Sequence, residues 1–329
     1  MPSLPPVIAE IRLAVRTALS AVPDGATVIV ALSGGADSLA LAAATVFEAR
    51  SRGIRVISAT IDHGLQDGSA DAAAQASEKA EAVGIRAVVR RVSVGESADG
   101  PEAAARDARY AALRAIAAEE QAAAVLLGHT LDDQAETVLL GLARGSGAAS
   151  LQGMAPRRQD EDRTVWLRPL LGVRRDTTRA FCAASDLAVW DDPHNLDTRF
   201  TRVRARERVL PVLEAELGPG IAEALARTAE QLREDAEAFD EMIHETIEDI
   251  VEHAEAGISV SVAALAANPA ALRNRIIRLV VDSEFGVGLT RLQTLEVARL
   301  ATDWSGQGPI DLPGCSARRQ GGRIVFRAR

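Results

Sequence analysis

The chain turns at Ser33-Gly34-Gly35-Ala36-Asp37-Ser38, and this stretch decides the fold. Residues 26–32, which precede it, form a continuous apolar run rich in β-branched side chains. Such a run is typical of a strand that is buried on both faces of a parallel sheet. Residues 39–44, which follow it, are all Leu or Ala and favour a helix. The stretch is therefore predicted to be the turn that joins a buried strand to a helix.

A glycine-rich turn at the start of a helix is suited to hold an anion. Gly34 and Gly35 allow the backbone to approach a ligand closely, and the free N–H groups of the first helical turn attract negative charge. Ser33 and Ser38 add hydroxyl groups, and the Asp37 carboxylate is suited to hold Mg²⁺ between phosphate oxygens. The alternative is an ordinary turn with a capped helix. The stretch is neither a Walker A loop nor the dinucleotide fingerprint, because the Gly-Lys-Ser/Thr and the third glycine are missing.

Size and composition limit the class of protein. A chain of 329 residues with 47% hydrophobic residues is long enough for two globular domains. There is no run of 18 apolar residues, and the N-terminus lacks the basic start and apolar core of a signal peptide. Cys182 and Cys315 are too few and too far apart for a disulfide framework or a zinc site. We therefore expect a cytoplasmic protein that does not associate with a membrane.

Positive charge is local in a chain whose net charge is −9. Residues 213–256 are strongly acidic, whereas residues 314–329 contain five arginines and no acid. Because the distribution of charge matters more than its sum, the basic segments are candidate sites for nucleic acid. The clearest candidate is the segment of residues 199–208, in which Glu207 is the only acid. Its five arginines are Arg199, Arg202, Arg204, Arg206 and Arg208.

Strand and helix patterns alternate through the first half of the chain. Strands are predicted at residues 55–61, 85–92 and 122–127, and helices at residues 69–83, 101–120 and 132–144. This alternation predicts an α/β fold with a doubly wound parallel sheet and ligands at the carboxyl ends of its strands. Beyond about residue 150 the alternation is predicted to stop. We expect a catalytic domain at residues 1–212 and a smaller, mostly helical domain at residues 213–329, ending in a short strand.

Polar residues follow two of the predicted strands. The second strand leads into Asp62 and His63, and the fourth leads into His129 and a helix that carries Asp133 and Glu136. Asp133 and Glu136 share a helix face because they are three residues apart. Acids at a helix start also simply favour its positive end, and a metal site is a further alternative. Their place in the same sheet as the glycine-rich turn favours one joint site.

Taken together, these stretches resemble the tRNA(Ile)-lysidine synthetase family, a branch of the N-type ATP pyrophosphatases. The resemblance covers residues 25–211 approximately. The chain departs from the family at His194, where Ser or Thr is usual, and at Val203, where Asn is usual. The matching pieces, in the family's order, are Ser33-Gly34-Gly35-Ala36-Asp37-Ser38, Asp62-His63-Gly64-Leu65, Ala105-Arg106 with Arg109-Tyr110, Gly128-His129 with Asp132-Asp133-Gln134-Ala135-Glu136-Thr137, Arg144-Gly145-Ser146-Gly147, Arg168-Pro169-Leu170, and Asp192-Pro193 with Asn195, Arg202 and Arg206.

The resemblance implies a ligase that works in two steps. ATP adenylates the C2 carbonyl oxygen of the wobble cytidine in tRNA(Ile) with a CAU anticodon, which releases pyrophosphate. The ε-amine of free L-lysine then attacks C2 and displaces AMP, which gives lysidine. The implied partners are therefore this tRNA and lysine, with ATP and Mg²⁺ as cofactors. The oligomeric state is not fixed by the sequence, and a homodimer remains open.

The resemblance also implies a role for individual residues. The catalytic set is Asp37, Arg109, Asp133, Glu136 and Arg202, in which Asp37 binds Mg²⁺ and Arg109, Asp133 and Glu136 bind lysine. The arginines of residues 199–208, from Arg199 to Arg208, bind tRNA. The ATP-binding set comprises Ser33, Gly34, Gly35, Ala36, Asp37, Ser38, Ile61, His63, His129 and Arg144.

Three other functions compete with this one. A tRNA thiolase of the same superfamily generally uses paired cysteines, but Cys182 and Cys315 are far apart and the chain has no Cys-x-x-Cys. An amidotransferase synthetase would need a glutaminase domain or free ammonia. A non-catalytic nucleotide-binding regulator is disfavoured because Ser33, Asp37, Asp133 and Glu136 are all present together.

Overall fold

The computed structural model describes residues 4–64, 68–95, 100–145, 147–190, 197–254 and 257–329. The chain divides into two compact units, Met1–Arg233 and Glu234–Arg329. The domain boundary near residue 212 stays a prediction.

The first unit is built on a six-stranded sheet with the strand order β3-β2-β1-β4-β6-β5. All neighbouring strands are parallel except the edge pair of β5 and β6, which is antiparallel. The doubly wound parallel sheet is therefore confirmed. The strands are β1 (Thr27–Ala31), β2 (Arg55–Asp62), β3 (Arg86–Arg91), β4 (Ala124–Leu126), β5 (Arg157–Gln159) and β6 (Val165–Leu167).

Helices cover both faces of this sheet. On strand β1, Val28 and Val30 belong to one hydrophobic core, whereas Ile29 and Ala31 belong to the other. This division explains the continuous apolar run, because alternate side chains of the strand are buried on opposite faces. The helices are α1 (Pro6–Leu19), α2 (Ala36–Ala49), α3 (Ser69–Ala82), α4 (Pro101–Glu119), α5 (Leu131–Ala143), α6 (Ala148–Leu151), α7 (Arg175–Ala184), α8 (Thr201–Arg204), α9 (Leu210–Leu217) and α10 (Ile221–Ile250), with a π-helical turn at Ala205–Val209 between α8 and α9.

The order of the strands locates the binding region. The chain adds β2 and β3 on one side of β1 and then crosses to place β4 on the other side. Loops that leave the carboxyl ends of β1 and β4 diverge at this point, and open α/β sheets bind ligands there. The glycine-rich turn follows β1, and the segment with His129 follows β4.

The regular alternation of strand and helix ends near residue 150, as the sequence predicted, but the sheet gains two more strands there. Strand β6 pairs in parallel with β4, and helix α7 packs against α1 and α2. The strand was missed because only three residues take part, with Trp166 at their centre and charged residues on both sides. A run this short carries no periodic signal.

The second unit contains an antiparallel sheet with the order β7-β8-β11-β10-β9. Helices and sheet share one core, which includes Ile276, Leu300 and Phe326. Helices form the larger part of this unit, but of its strands the sequence predicted only the last. Its elements after α10 are β7 (Val251–Ala254), β8 (Gly257–Ser261), α11 (Val262–Ala267), α12 (Ala270–Phe285), α13 (Arg291–Thr302), β9 (Ile310–Leu312), β10 (Cys315–Gln320) and β11 (Arg323–Ala328). Among the described residues, no helix is both long and apolar enough to cross a membrane.

Candidate active site

A cleft of about 630 Å³ lies at the carboxyl ends of β1 and β4. The glycine-rich turn, the start of α5 and the start of α7 line it, together with Arg109 of helix α4 and Arg202 of helix α8. A second cavity of about 220 Å³ lies at the ends of β1 and β2. The two cavities share the residues Ala31, Ser33, Arg109 and Trp190, and are therefore adjoining parts of one site.

The glycine-rich turn leaves the start of helix α2 open to the cleft. Gly34 has a φ of +84°, which a residue with a side chain rarely adopts. Gly35 is the N-cap residue and supplies no side-chain cap. The hydroxyl of Ser38 accepts a hydrogen bond from the Ser33 backbone N–H at 3.2 Å and donates one to the Gly35 carbonyl at 3.0 Å. The first N–H groups of the helix are thus available to an anion.

The backbone at Gly128 lies in close contact with the backbone of the glycine-rich turn. A Cβ atom on Gly128, which follows β4, would lie 3.2 Å from the carbonyl carbon of Asp37 and from the backbone nitrogen of Ser38. Only glycine therefore allows the two segments to approach this closely without a shift of the turn. Gly128 belongs to the family pattern, but the sequence alone indicated no role for it.

Asp37 faces the cleft but is not free in this structure. The Thr178 hydroxyl donates a hydrogen bond to it, and Arg175 Nε lies 3.5 Å from its Oδ2. Burial raises the pKa of Asp37, and these two partners oppose that effect. The described residues contain no group of three or more His, Cys, Asp or Glu that could hold a metal ion. At phosphate-binding sites, Mg²⁺ is commonly held by one or two carboxylates together with phosphate oxygens of the substrate. Asp37 is suited to supply such a carboxylate.

The start of helix α5 presents the first of two carboxylates. Asp133 closes a capping box, in which its Oδ2 accepts hydrogen bonds from the backbone N–H of Thr130 at 2.8 Å and from its hydroxyl at 2.9 Å. Its other oxygen accepts a hydrogen bond from Arg175 Nη2 at 2.9 Å. Burial opposes ionisation, but Arg175 and the hydrogen bonds from Thr130 outweigh it and hold the pKa of Asp133 below its ordinary value. Asp133 is therefore a carboxylate near neutral pH.

Glu136 lies one turn further along α5 and is completely buried. Arg206 Nε donates a hydrogen bond to it at 2.7 Å, Arg175 Nη1 lies 3.3 Å away, and Arg202 Nε lies 3.4 Å away. A buried carboxylate is tolerated when it is paired and hydrogen-bonded, as here. In this state Glu136 anchors three arginines and presents no exposed surface to a ligand.

The opposite wall of the cleft is positively charged. Arg106 and Arg109 line it, and neither is paired with an acid among the residues that the structure describes. The buried Arg168 donates a hydrogen bond to the Ala155 carbonyl at 2.7 Å. Burial, with these three arginines, lowers the pKa of His129 to about 3, although Asp133 opposes the shift. His129 is therefore neutral, and its buried Nδ1 has no partner among the described residues.

Most of the predicted site residues meet here. The glycine-rich turn, Arg109, His129, Asp133 and Arg202 line the larger cleft, Ile61 and His63 line the smaller one, and Glu136 lies beneath the surface. Arg144 does not join them. It is exposed at the far end of α5, about 20 Å along the helix from its start. Its predicted role in ATP binding is untested, and so are the roles of the other site residues.

Some of the matching pieces lie outside the described residues. These are Leu65, Ser146 and residues 192–195, which include the departure at His194. The other departure, Val203, is described and is buried.

The five arginines of residues 199–208 divide into two groups. Arg202 and Arg206 point to Glu136, as described above. Arg199 and Arg208 are exposed, and Arg199 pairs with Asp197 at 2.7 Å. Arg204 donates hydrogen bonds to the carbonyls of residues 198 and 199. From the sequence, all five were assigned to tRNA binding, and Arg202 was also assigned to the catalytic set.

Two residues at the centre of the site were missed from the sequence, namely Arg175 and Thr178. Both belong to the first turn of α7, and Arg175 bridges Asp37, Asp133 and Glu136. Its backbone N–H donates a hydrogen bond to Asp132 Oδ2 at 2.7 Å, which fixes the start of the helix. The only local signal was the pair of consecutive arginines, residues 174 and 175, and a pair of arginines is common on protein surfaces.

Comparison with known proteins identifies the family. A family model described as a PP-loop domain matches residues 10–213, and one described as the TilS substrate binding domain matches residues 261–325. The chain is 59% identical to the tRNA(Ile)-lysidine synthase of Leifsonia xyli subsp. xyli, over 92% of this chain and 90% of that protein. It is 48% identical to that of Thermobifida fusca, over 98% of both chains.

A solved structure supports the fold independently of these close relatives. The U34-tRNA thiolase NcsA from Methanococcus maripaludis, with its [4Fe-4S] cluster, superposes with a TM-score of 0.58 and 21% identity, covering 69% of this chain and 80% of that one. At this identity the likeness concerns the fold alone. The two family models and the close relatives, by contrast, agree over nearly the whole chain, which therefore belongs to the tRNA(Ile)-lysidine synthase family of PP-loop enzymes.

Proposed function

We propose that this ligase joins free L-lysine to C2 of the wobble cytidine of tRNA(Ile) with a CAU anticodon, in two steps driven by ATP. The observation that carries the proposal is the convergence of three elements on one cleft. The phosphate-binding turn, the Asp133 carboxylate and the cationic pair of Arg109 and Arg202 all line it. Nucleotide, amino acid and cytidine can therefore meet at a single place.

ATP lies across the two adjoining cavities in this proposal. The smaller cavity is lined mainly by apolar side chains, among them Leu32, Ala59 and Ile61, which suit a nucleoside. The triphosphate then extends past Ser33 to the start of α2, where N–H groups and the helix dipole favour negative charge. Asp37 would hold Mg²⁺ here, and the ion would neutralise negative charge on the nucleotide.

The first step forms the adenylated cytidine. The C2 carbonyl oxygen attacks the α-phosphorus of ATP, the bond to the bridging oxygen breaks, and pyrophosphate leaves with the electron pair. Charge spreads over phosphate oxygens in such a reaction, so positioning and electrostatic stabilisation do most of the catalysis. Arg109 and Arg202 line the cleft and are suited to stabilise this charge. Each guanidinium group can donate two parallel hydrogen bonds to phosphate oxygens. His129, which stays neutral, serves as a hydrogen-bonding group and not as a base.

The second step uses the carboxylates. The lysine ε-nitrogen bonds to C2, the bond from C2 to the activated oxygen breaks, and AMP leaves. The lysine ammonium must lose one proton before the attack, and its nitrogen loses a second proton after the bond to C2 forms. Asp133 or Glu136 accepts one of these protons, and water accepts the other. Asp133, which remains ionised beside Arg175, is suited to bind an ammonium group. Arg109 is suited to bind the lysine carboxylate.

For the tRNA, we assign the backbone contacts to the outward arginines, Arg199, Arg204 and Arg208. Phosphate contacts of this kind position a nucleic acid without reading its sequence. The match of residues 261–325 to a substrate-binding domain supports a second contact in the C-terminal unit. The described cysteines, Cys182 and Cys315, are both buried and lie in different units, so they do not favour thiolation.

The test measures release of AMP and pyrophosphate from ATP by the purified protein, with and without lysine and unmodified tRNA(Ile). We expect AMP release that needs both substrates, together with transfer of labelled lysine into the tRNA. The Asp37→Asn variant, which keeps the shape of the side chain, controls for contaminating enzymes and should be inactive. AMP release without tRNA, or with ammonia or sulfide in place of lysine, would overturn the proposal.

A further inference from the structure

Arg175 connects the two halves of the cleft through its side chain. Its Nη2 lies 2.9 Å from Asp133 Oδ1, its Nη1 lies 3.3 Å from Glu136 Oε1, and its Nε lies 3.5 Å from Asp37 Oδ2. One guanidinium thus bridges the phosphate-binding turn and both carboxylates assigned to lysine. Burial opposes the charge of Arg175, but these acids outweigh it and raise its pKa, so it is a permanent cation here.

The carboxylates have little capacity left for a second cation. Asp133 uses one oxygen for the capping box and the other for Arg175. Glu136 is enclosed by three arginines and has no exposed surface. A lysine ammonium that approaches Asp133 therefore meets a guanidinium that already occupies the free oxygen, and two cations at one oxygen repel each other.

The main chain and the side chain of Arg175 are held separately. The backbone N–H is bound to Asp132, and Thr178 of the same helical turn is bound to Asp37, so α7 keeps its position. The guanidinium is the end of a long flexible side chain, 18% exposed on the cleft. It can therefore exchange partners without movement of the helix.

A phosphate group offers such a partner. Arg175 already lies beside Asp37 of the turn, next to the open start of α2. Guanidinium groups form strong paired hydrogen bonds with phosphate oxygens. An incoming nucleotide adds several negative charges at this edge of the cleft and competes for Arg175 with Asp133.

We propose that Arg175 takes the place of the lysine ammonium in the substrate-free enzyme, so that lysine binds Asp133 only after a nucleotide phosphate has drawn the guanidinium away. The inference rests on the proposed function, since it assumes that the α5 carboxylates bind lysine. Arg175 is then a positioning residue that imposes an order on the substrates. Lysine enters after the nucleotide, in the order in which the chemistry needs them.

The experiment measures binding of labelled L-lysine to the full chain by equilibrium dialysis. It is done without nucleotide and with Mg²⁺ and α,β-methylene ATP, which cannot be cleaved between its α- and β-phosphates. For the wild-type enzyme, we expect the analogue to strengthen lysine binding about tenfold, within the usual range for coupled sites. In Arg175→Gln, lysine should bind without nucleotide, and the analogue should change its affinity by no more than about twofold.

Two further variants keep the test specific. Arg175→Lys retains the positive charge and should retain the dependence on nucleotide. Arg90→Gln removes a half-buried arginine that pairs with Glu119 outside the cleft, and it should behave as wild type. The wild-type comparison needs no variant, so the inference remains falsifiable if a substitution prevents folding.

Three outcomes would overturn the inference. The first is equal lysine affinity of the wild-type enzyme with and without the analogue. The second is full dependence on nucleotide in Arg175→Gln, and the third is weaker lysine binding by Arg175→Gln than by wild type in the absence of nucleotide. In each case, transfer of labelled lysine into tRNA by the wild-type enzyme would leave the proposed function standing. Absence of both lysine binding and lysine transfer would overturn the function as well.

Discussion

Arg206 Nε lies 2.7 Å from Oε1 of Glu136, a carboxylate 70 residues away in the sequence and completely buried. The contact ties the arginine-rich segment that precedes α9 to the helix that carries both lysine-binding candidates. Arg175 and Arg202 approach the same carboxylate from the sides. Three cations therefore share one buried anion, and two of them, Arg175 and Arg206, also lie within 4 Å of Asp133.

Loss of this anion should destabilise the first unit. Glu136→Gln keeps the volume of the side chain but removes a buried charge that three arginines share. Among the described residues, Arg202 then has no acid beside it, whereas Arg175 and Arg206 retain Asp133. Breaking a buried pair in this way costs about 3 kcal/mol. Urea unfolding measures the change in the free energy of unfolding. Glu119→Gln, which removes the acid of the exposed pair with Arg90, is the control and should have little effect. Equal stability of Glu136→Gln and wild type would show that the cluster is not a structural anchor.

Gly128→Ala should impair nucleotide binding and leave the fold intact. The added Cβ would lie 3.2 Å from backbone atoms of Asp37 and Ser38, so the phosphate-binding turn must shift. Because small displacements of binding groups have large effects, we expect roughly tenfold weaker binding of an ATP analogue. Gly172→Ala, where an added Cβ meets nothing within 4 Å, is the matched control. Calorimetric titration of both variants gives the comparison, and identical affinities would contradict the assigned role of Gly128.

The glycine-rich turn and its strand could be predicted because their signals are local. A strand buried on both faces has a continuous apolar run, and the turn between it and the helix is rich in glycine. Apart from β11, the strands of the second unit gave no such signal. Strand β10, for example, places Cys315 and Ala317 in the core and charged or polar residues between and after them, so its pattern is short and weak.

Arg175 illustrates why part of the site could not be predicted. Its partners Asp133 and Glu136 are 42 and 39 residues away, and the residues next to it give no hint of either contact. The division of the five arginines into inward and outward groups has the same origin. It depends on the orientation of α8 and the π-helical turn relative to α5, which composition does not encode.

Stability should fall in mild acid because of His129. Burial and the surrounding arginines lower its pKa to about 3 in the folded protein, whereas the unfolded chain has an ordinary pKa of about 6.5. At pH values between about 3 and 6.5, His129 binds a proton in the unfolded chain but not in the folded protein. The free energy of unfolding therefore decreases as the pH falls below about 6.5, and His129 has little effect on it above that pH. From pH 7 to pH 5 the loss attributable to His129 should be about 2 kcal/mol.

The variant His129→Asn tests this contribution, because it removes the titrating group and keeps a polar side chain. Urea unfolding at pH 7 and pH 5 should show a smaller loss for this variant than for wild type. His244→Asn replaces an exposed histidine on α10 and is the matched control. If wild type and His129→Asn lose the same stability over this range, His129 is protonated in the folded protein.

Asp133→Asn should impair the use of lysine more than the binding of ATP. The amide oxygen can still accept the hydrogen bond from the Thr130 N–H, so the helix start is preserved. The negative charge that attracts an ammonium group is lost. We expect the KM for lysine to rise roughly tenfold or more, since charged hydrogen bonds contribute about 1.5 to 3 kcal/mol. Steady-state kinetics with each substrate varied in turn measures both constants, and equal losses for lysine and ATP would contradict the assignment.

The outward arginines should control the salt dependence of tRNA binding. Arg208 is exposed, and its only described side-chain contact is with the Thr198 hydroxyl at 3.3 Å, so its loss should not disturb the fold. If it neutralises one phosphate of the anticodon loop, Arg208→Gln should make the plot of log K against log salt concentration less steep by about 0.7, the value for single-stranded nucleic acid. Filter binding from low to moderate salt gives the slope. Arg206→Gln is the informative contrast, because its guanidinium faces Glu136 and its loss should lower stability instead. A wild-type slope for Arg208→Gln would place the phosphate contacts elsewhere on the chain.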